Sequence, residues 1–518
     1  MEESLLRSVD EDEDMEEISS LGQLLRHGVE ENKKLWYLAA PAIFTSIAQY
    51  SLGAVTQIFA GHLSTLELDA VSTENSVIAG LAFGIMLGMG SALETLCGQA
   101  FGAKQLDMLG VYMQRSWVIL TATSICLLPI YVFATPVLLF FHQDPQIAFL
   151  AGKFSLYMIP QLFAYVLNFP LQKFLQAQSK VMAMAAVSAV ALLLHLLLSW
   201  LLIAQLNLGL VGAAISLNVA WWFVVLGQFA YIAMGHCPGA WNGFSWGAFR
   251  DLAAFSRLSI ASAVMMCVEY WFYMFLIVLA GNLKNAQVAV AAISICMNLY
   301  GWEIMVFVGF NAAISVRISN ELGARRPRAA KFSILVVIVS SLIFGILFFS
   351  LVLFLRDVYG IPFTNSPEVV HAITDLALVF ACTLLLSSIQ PVLTGVAVGA
   401  GWQTLVAYVN LGCYYLVGIP AGYILSFYFD LGVKGMWSGM LIGVGLQTLV
   451  LIGITVGTNW DKEELRSTGS RAEDAASEKD DTGRELKGSV HLRDGRAAEE
   501  YTGGREERAR HSRDKKPE

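Results

Sequence analysis

Between residues 35 and 460 the chain consists of apolar runs separated by short segments that carry most of the polar residues of this region. Twelve runs have roughly the 20 residues that a helix needs to cross a membrane. They lie within 35–60, 67–92, 109–140, 149–172, 181–205, 209–235, 253–281, 288–316, 328–356, 367–398, 403–428 and 433–458. The pattern predicts an all-α integral membrane protein with twelve transmembrane helices.

The second half of the chain repeats the first half at a nearly constant offset. Gly102 aligns with Gly323 and Pro170 aligns with Pro391, so the offset is 323 − 102 = 391 − 170 = 221 residues. Chance similarity would not keep one offset across separated segments. Because each half holds six spans, both halves enter the membrane from the same side. This predicts two pseudo-symmetric six-helix lobes.

Composition separates the membrane part from the two charged ends. Hydrophobic residues make up 56% of the 518 residues and charged residues 14%, and the charges concentrate at the ends. A segment with few apolar residues cannot offset its ordering entropy and stays disordered. We expect a disordered acidic cytosolic N-terminus (1–34), an N-lobe with helices 1–6 (35–235), a cytosolic linker (236–252), a C-lobe with helices 7–12 (253–460) and a disordered charged cytosolic tail (461–518).

The distribution of Lys and Arg over the connections predicts the orientation, because cytosolic connections carry an excess of basic residues. The connections between spans 2–3, 4–5, 6–7 and 8–9 are the basic ones, with Lys104, Arg115, Lys173, Lys180, Arg250, Arg257, Arg317, Arg325, Arg326, Arg328 and Lys331. The opposite connections hold only Lys153, Lys284, Arg356 and Lys434. We therefore expect both termini in the cytosol.

Two acidic residues lie deep inside predicted spans of the second half, Glu269 in span 7 and Glu303 in span 8. An ionisable side chain at mid-span costs about 2.5–3.5 kcal/mol to insert, so such residues are functional candidates. At an offset of 220, the first half has Gln49 (269 − 220) and Phe83 (303 − 220) instead. The halves therefore differ where a proton or a cation can bind. The alternative is that each Glu satisfies a polar group of a neighbouring helix.

Burial disfavours the ionised form of a carboxyl, so that a buried Glu can take up a proton from one side of the membrane and release it to the other. A cationic or polar solute would compete for the same carboxylate, which is the simplest physical basis of exchange. Among the remaining polar residues, the sequence favours neither a functional nor a structural role for Glu74. We expect structural or interfacial roles for Glu94, Asp375 and His195.

Aromatic and amide side chains surround the predicted cavity and suit a flat, partly polar organic solute. The residues that we expect to line it are Gln49, Tyr50, Tyr273, Asn298, Tyr300 and Gln390. Pro41 and Pro391 lie inside spans and are expected to bend them.

The Gly-rich turns near residues 98–104 and 320–325 follow apolar helices rather than strands and match no nucleotide-binding fingerprint. The chain also shows no nucleophile, metal or cofactor pattern. We therefore expect neither an enzyme nor an ATP-driven pump. We expect no cofactor, no metal site and no nucleic-acid partner. The expected partners are a small organic substrate, protons and the lipid bilayer, and the expected state is a monomer.

Four segments, 91–100, 174–178, 313–323 and 390–403, resemble the multidrug and toxic compound extrusion (MATE) family, in particular its plant DETOXIFICATION branch. Residues 294–298 and 301–303 resemble the subgroup that is linked to vacuolar flavonoid transport. The resemblance implies the MATE fold, in which two six-helix lobes enclose a V-shaped cavity. It also implies proton-coupled antiport of organic compounds.

In plant relatives the resemblance implies a cation site in the second lobe with an acidic residue on span 7, which is Glu269 here. Many relatives also carry an Asp shortly before the Gln-Pro pair of span 10, where this chain has Ser387. This departure argues against a proton ligand on span 10. It strengthens Glu303 as a candidate for proton binding. The resemblance does not cover the tail beyond residue 460.

The leading hypothesis is a proton-coupled antiporter that moves flavonoid glycosides or related metabolites from the cytosol into the vacuole by alternating access. Efflux of organic cations or xenobiotics across the plasma membrane would use the same mechanism. A passive anion conductance, such as a chloride conductance, is the other alternative, and the scarcity of Lys and Arg at mid-span counts against it.

Overall fold

The computed structural model describes residues 14–16, 18–250, 252–280, 283, 286–364 and 366–466. All regular elements of these residues are helices, and no strand occurs among them. Eleven helices are long and apolar enough to cross a membrane, and a bent pair of helices forms a twelfth candidate span. The prediction of an all-α membrane protein is therefore confirmed.

The candidate spans are labelled α1 to α12 in chain order. They are α1 Leu21–Leu63, α2 Thr65–Gly102, α3 Leu106–Val132, α4 Pro145–Tyr157 with Ile159–Ala177, α5 Val181–Gln205, α6 Gly209–His236, α7 Leu252–Ala280, α8 Ala286–Gly323, α9 Pro327–Phe354, α10 Pro367–Ala400, α11 Gln403–Tyr428 and α12 Gly432–Gly457. A short helix, Ala134–Phe140, follows α3, and a 3-10 helix, Trp246–Phe249, precedes α7.

Two spans are broken next to a proline. The two segments of α4 meet at an angle of 52°, and the second segment carries a proline in its first turn. α10 is interrupted after Ser387 and resumes at Gln390, directly before Pro391. Proline has no N–H to bond the preceding turn, so it fits the first turn of a new segment better than a helix interior. α1, by contrast, continues as one helix across Pro41.

Helices α1 and α2 of the first half pack against α7 and α8 of the second half, and we call this contact the seam. Glycine permits the close approach. A Cβ atom on Gly88 of α2 would lie 2.7 Å from the Cα atom of Ala263 on α7, and one on Gly98 would overlap the side chain of Ser319 on α8. Small residues four positions apart are typical of closely packed membrane helices. Gly84 and Gly88 follow this spacing, as do Gly98 and Gly102.

A buried ion-pair cluster joins the halves at one end of the seam. Arg317 of α8 donates from Nε and Nη2 to the two carboxylate oxygens of Glu31 on α1, at 2.8 and 3.0 Å. Its Nη1 lies 2.8 Å from Oε1 of Glu321. All three side chains are less than 10% exposed. We call this end of the bundle, where α2 turns into α3 and α8 turns into α9, the basic face.

The C-terminal boundary of the predicted disordered segment 1–34 was wrong, because α1 begins at Leu21. The hydroxyl of Ser20 accepts the N–H of Gln23 and caps the helix, and the pairing of Glu31 with Arg317 holds the polar turns in place. Asp14 is also described, and its carboxylate accepts the N–H groups at residues 328 and 329 at the start of α9. Residues 1–13 and 17 lie outside the described residues.

At the other end, the predicted start of the disordered tail at residue 461 was wrong, because residues 460–466 are helical. The tail from residue 467 lies outside the described residues. The predicted linker 236–252 packs on α3. The amide of Gln114 donates to the carbonyl of Gly243 at 3.0 Å and accepts the N–H of Ser245 at 2.8 Å.

Three basic residues that were assigned to connections, Arg115, Lys173 and Arg317, lie inside helices and are buried. A carboxylate or carbonyl group, which the apolar pattern does not reveal, compensates each charge inside the bundle. These three residues therefore do not count toward the orientation, which stays a prediction that depends on the other basic residues.

Arg317→Gln should lower the free energy of unfolding by about 3 kcal/mol, because removal of one member of a buried ion pair leaves its partners uncompensated. The control is Arg26→Gln, since Arg26 pairs with Glu30 on the surface at 80% and 46% side-chain exposure and such pairs contribute about 0–1 kcal/mol. Thermal unfolding of the detergent-purified protein, followed by Trp fluorescence, measures both changes. Equal midpoints for the two variants would contradict the assignment.

Candidate functional site

Glu269 of α7 is half-buried and faces the second segment of α10. The side-chain amide of Gln390 donates from Nε2 to Oε1 of Glu269 at 3.2 Å and lies 3.3 Å from the hydroxyl of Thr394. Gln390 is only 2% exposed, and it is the first residue after the break in α10. The break thus gives Glu269 a neutral donor rather than a cation. A carboxyl in this setting can bind and release a proton without breaking a salt bridge.

Glu303 of α8 is more deeply buried than Glu269, at 6% exposure. Neither of its carboxylate oxygens has a hydrogen-bond partner among the described residues. An ionised carboxylate without a donor or a cation costs several kcal/mol in an apolar environment. The surroundings of Glu303 therefore favour a neutral carboxyl that carries a proton.

Three hydroxyl groups form a buried chain beside these carboxyls. The hydroxyls of Tyr273 on α7 and Tyr300 on α8 are 3.2 Å apart, and Ser387 of α10 donates to the Tyr300 hydroxyl at 3.3 Å. Tyr300 interacts electrostatically with both Glu269 and Glu303. Ser387 therefore joins the same polar cluster through its hydroxyl.

Both carboxyls lie at the level where the seam contacts end. Next to Glu269, the ring of Tyr270 lies over Gly84, and next to Glu303, Trp302 makes an edge-to-face contact with Tyr50 at 5.1 Å between ring centroids. The three aromatic side chains are 36–42% exposed although they lie between the halves. They therefore border a space between α1, α2, α7 and α8, and we call this level the seam floor.

The basic side of the seam floor is closed over a long distance. The contacts along α2 extend from Gly102 to Gly84, which is 102 − 84 = 18 residues or about 27 Å at 1.5 Å per residue. On the same side, the amide of Gln403 on α11 donates to Thr95 of α2 at 2.8 Å. Close packing along α2 therefore separates the seam floor from the basic face.

The structure brings most of the predicted cavity residues together. Gln390 contacts Glu269 and Tyr273 contacts Tyr300, while the ring of Tyr50 lies at the seam floor. Gln49, one residue before Tyr50, is half-buried, and its Nε2 has no partner among the described residues. Asn298 is exposed and lies one helical turn from Trp302, on the same face of α8. Of the two predicted bends, Pro391 coincides with a break and Pro41 does not.

The other polar residues differ in the groups that they contact. Glu94 is 1% exposed and forms a 2.6 Å ion pair with Lys173 of α4, which agrees with a structural role. His195 is fully buried, and its Nε2 lies 3.1 Å from the hydroxyl of Thr56. Asp375 forms a half-exposed pair with Lys434. Glu74 is 1% exposed and belongs to none of these contacts.

The residues that close the basic face were not predicted from the sequence. Glu31 was assigned to the disordered N-terminus, since no short-range pattern connects it with Arg317, 286 positions later. The glycine pairs of α2 could have been found, because their spacing of four residues is a known signal of close helix packing.

Comparison with known proteins identifies the family. The MatE family model matches residues 41–201 and 261–424, and the two matches begin 261 − 41 = 220 residues apart, in agreement with the internal repeat. Protein DETOXIFICATION 33 and Protein DETOXIFICATION 30 of Arabidopsis thaliana are 59% and 56% identical to this chain over 434 and 457 residues. The alignments cover 84% and 88% of this chain and 90% and 92% of those proteins.

Solved structures agree with this result. The crystal structure of the eukaryotic MATE transporter AtDTX14 is similar with a TM-score of 0.81 and 34% identity, over 85% of this chain and 98% of that chain. The bent form of the Vibrio cholerae MATE transporter VcmN has a TM-score of 0.74 at 16% identity, over 85% of this chain and 99% of that chain, which shows the shared fold. The chain therefore belongs to the MATE family, with plant DETOXIFICATION proteins among its relatives, and is a membrane transporter rather than an enzyme.

Proposed function

We propose that this protein is a proton-coupled antiporter that moves organic metabolites out of the cytosol by alternating access. The observation that carries the proposal concerns Glu269 and Glu303. Both lie at the seam floor, and neither has a cation partner among the described residues. Proton binding there changes the charge beside the space between the halves. Such a change in charge can be coupled to a change in the side of the membrane to which that space opens.

The seam supplies the two alternating contacts that this mechanism needs. In the present state, the basic face is closed by the Glu31–Arg317 pair and by the glycine contacts of α2. Opening toward the basic face requires that these contacts separate and that α1 and α2 approach α7 and α8 at the opposite end. We propose that the predicted lobes, 35–235 and 253–460, move as units in this step, with both termini in the cytosol.

The lining of the seam floor suits an aromatic organic solute. Tyr50, Tyr270 and Trp302 offer exposed ring faces and edges, and Gln49 and Asn298 lie within one or two helical turns of them. Aromatic rings with a few amide groups are typical of sites for flat, partly polar ligands. We propose flavonoid glycosides or related metabolites as substrates, the vacuolar membrane as the location and a monomer as the working unit.

Plasma-membrane efflux of organic cations or xenobiotics would use the same site. It differs only in the membrane in which the protein is located. An anion conductance has less support, because the ionisable groups beside the seam floor are carboxyls and tyrosines. Arg317 and Lys173 are buried in pairs with carboxylates toward the basic face. Voltage-clamped bilayers distinguish the mechanisms: a current that reverses at the chloride potential supports a channel, and a fixed ratio of protons to substrate supports exchange.

Glu269→Gln should abolish pH-gradient-driven uptake of substrate into proteoliposomes, because an amide keeps the shape of the carboxyl but cannot bind the coupling proton. A matched control is Glu368→Gln, which removes an exposed carboxyl at the start of α10 and should transport like the wild type. Unchanged uptake by Glu269→Gln in a folded, monodisperse protein would refute the role of Glu269.

Glu303→Gln should shift the pH optimum of transport, since it removes the second carboxyl of the same electrostatic cluster. Initial rates between pH 5 and 9 in proteoliposomes measure the shift. A pH profile that coincides with that of the wild type would assign Glu303 a structural role.

A further inference from the structure

Buried carboxyls of this protein fall into two groups. Among the described residues, those below 9% exposure are Glu31, Glu74, Glu94, Glu303 and Glu321. Three of them pair with a basic side chain within 3 Å, near the basic face. Glu303 belongs to the proposed proton site of the second half. Glu74 is the remaining member, and the proposed mechanism does not use it.

Glu74 is 1% exposed, and its Oε1 is completely buried without a hydrogen-bond partner among the described residues. It begins the π-helical turn Glu74–Ala79 of α2, which is one of five π-helical segments in the described part of the chain. Such turns within α-helices occur frequently at functional sites. The local backbone therefore departs from regular geometry at the same residue where a carboxyl is buried without compensation.

Two tyrosines of the first half lie near this carboxyl, and neither forms a hydrogen bond with its Oε1. Tyr131 of α3 and Tyr165 of α4 both interact electrostatically with Glu74. Both rings are buried, and the hydroxyl of Tyr131 has no hydrogen-bond partner among the described residues. Neither tyrosine supplies a positive charge. Neutral hydroxyl groups therefore form the polar surroundings of Glu74.

The other ionisable groups on the elements packed against the π-helical turn point elsewhere or lie nearer to the surface. Glu67 of α2 is half-buried, and its carboxylate accepts the hydroxyl of Ser64. Asp69 and Lys153 are exposed, and Tyr157 is half-buried. None of them has a recorded contact with Glu74, and no ion pair with Glu74 occurs in the described part of the chain.

Glu94, on the same helix, is an example of a buried carboxyl with a structural role in this protein. It is as deeply buried as Glu74, and Lys173 lies 2.6 Å from its Oε2. Burial of an ionised carboxylate without such a partner costs several kcal/mol. The environment of the unpaired Glu74 therefore favours the neutral carboxyl over the ionised one.

We propose that Glu74 is a second proton-binding site, located in the first half of the chain and separate from the site around Glu269 and Glu303. The carboxylate takes a proton from hydronium, which leaves water and a neutral carboxyl, and the reverse step releases hydronium. Proton binding at Glu74 stands on its own, whereas a role of this proton in coupling rests on the proposed function. Each half would then hold one unpaired carboxyl on its second helix, Glu74 on α2 and Glu303 on α8.

Infrared spectroscopy of the purified protein in lipid tests proton binding without a transport assay. In a pH titration, Glu74→Gln should lose one component of the carbonyl-stretch band that protonated carboxyls produce. Glu74→Asp retains a carboxyl and should restore a shifted component, and Asp69→Asn, which removes an exposed carboxyl five positions earlier, should match the wild type. A Glu74→Gln spectrum identical to that of the wild type at every pH would overturn the proposal.

Proteoliposomes then test the coupling role. Glu74→Gln should still transport substrate but take up fewer protons per substrate molecule, whereas Glu269→Gln should stop pH-driven uptake. Loss of the infrared component with an unchanged proton ratio would refute the coupling role and leave proton binding intact. If Glu269→Gln transports normally while Glu74→Gln loses its band, the proposed function fails and the Glu74 site stands.

Discussion

The cost of placing an ionised carboxylate inside an apolar helix bundle is the constraint that organises this protein. A carboxylate must find a cation or donors, or it must carry a proton. Glu31, Glu94 and Glu321 meet this demand by pairing with Arg317 or Lys173 near the basic face. Glu74 and Glu303 lie farther from the basic face along α2 and α8 and lack such a partner among the described residues. The same physical requirement thus produces ion pairs near the basic face and leaves carboxyls without a counter-charge away from it.

The ion pairs and the glycine contacts act together at the seam. Glycine at positions 88 and 98 removes the side-chain volume that would hold the halves apart, and the Glu31–Arg317 pair joins α1 to α8 where the glycine contacts of α2 end. These contacts close the basic face, whereas the aromatic side chains of the seam floor stay partly exposed. In the proposed mechanism, the carboxyls at the seam floor therefore lie next to the space whose access must alternate.

The two halves share a repeat but differ in their chemistry. Phe83 occupies the position that corresponds to Glu303, and its ring packs edge-to-face against Tyr165 and Phe169, with centroid distances of 5.5 and 5.3 Å. An aromatic cluster thus fills the first half where the second half has an unpaired carboxyl. The unpaired carboxyl of the first half, Glu74, lies elsewhere on α2. Duplication preserved the helix arrangement, while the polar sites diverged within it.

The sequence by itself determined the all-helical membrane class, the family and the candidate carboxyls. Long apolar runs and mid-span Glu residues are local signals, because the bilayer penalises polar groups wherever they occur along the chain. Only the tertiary structure decided which carboxyls are compensated. Glu94 and Glu74 look alike in the sequence, yet Lys173 reaches one of them and no cation in the described part of the chain reaches the other. The burial of Glu31 in α1 was likewise hidden in the sequence, because its partner Arg317 lies 286 residues away and leaves no trace in a local pattern.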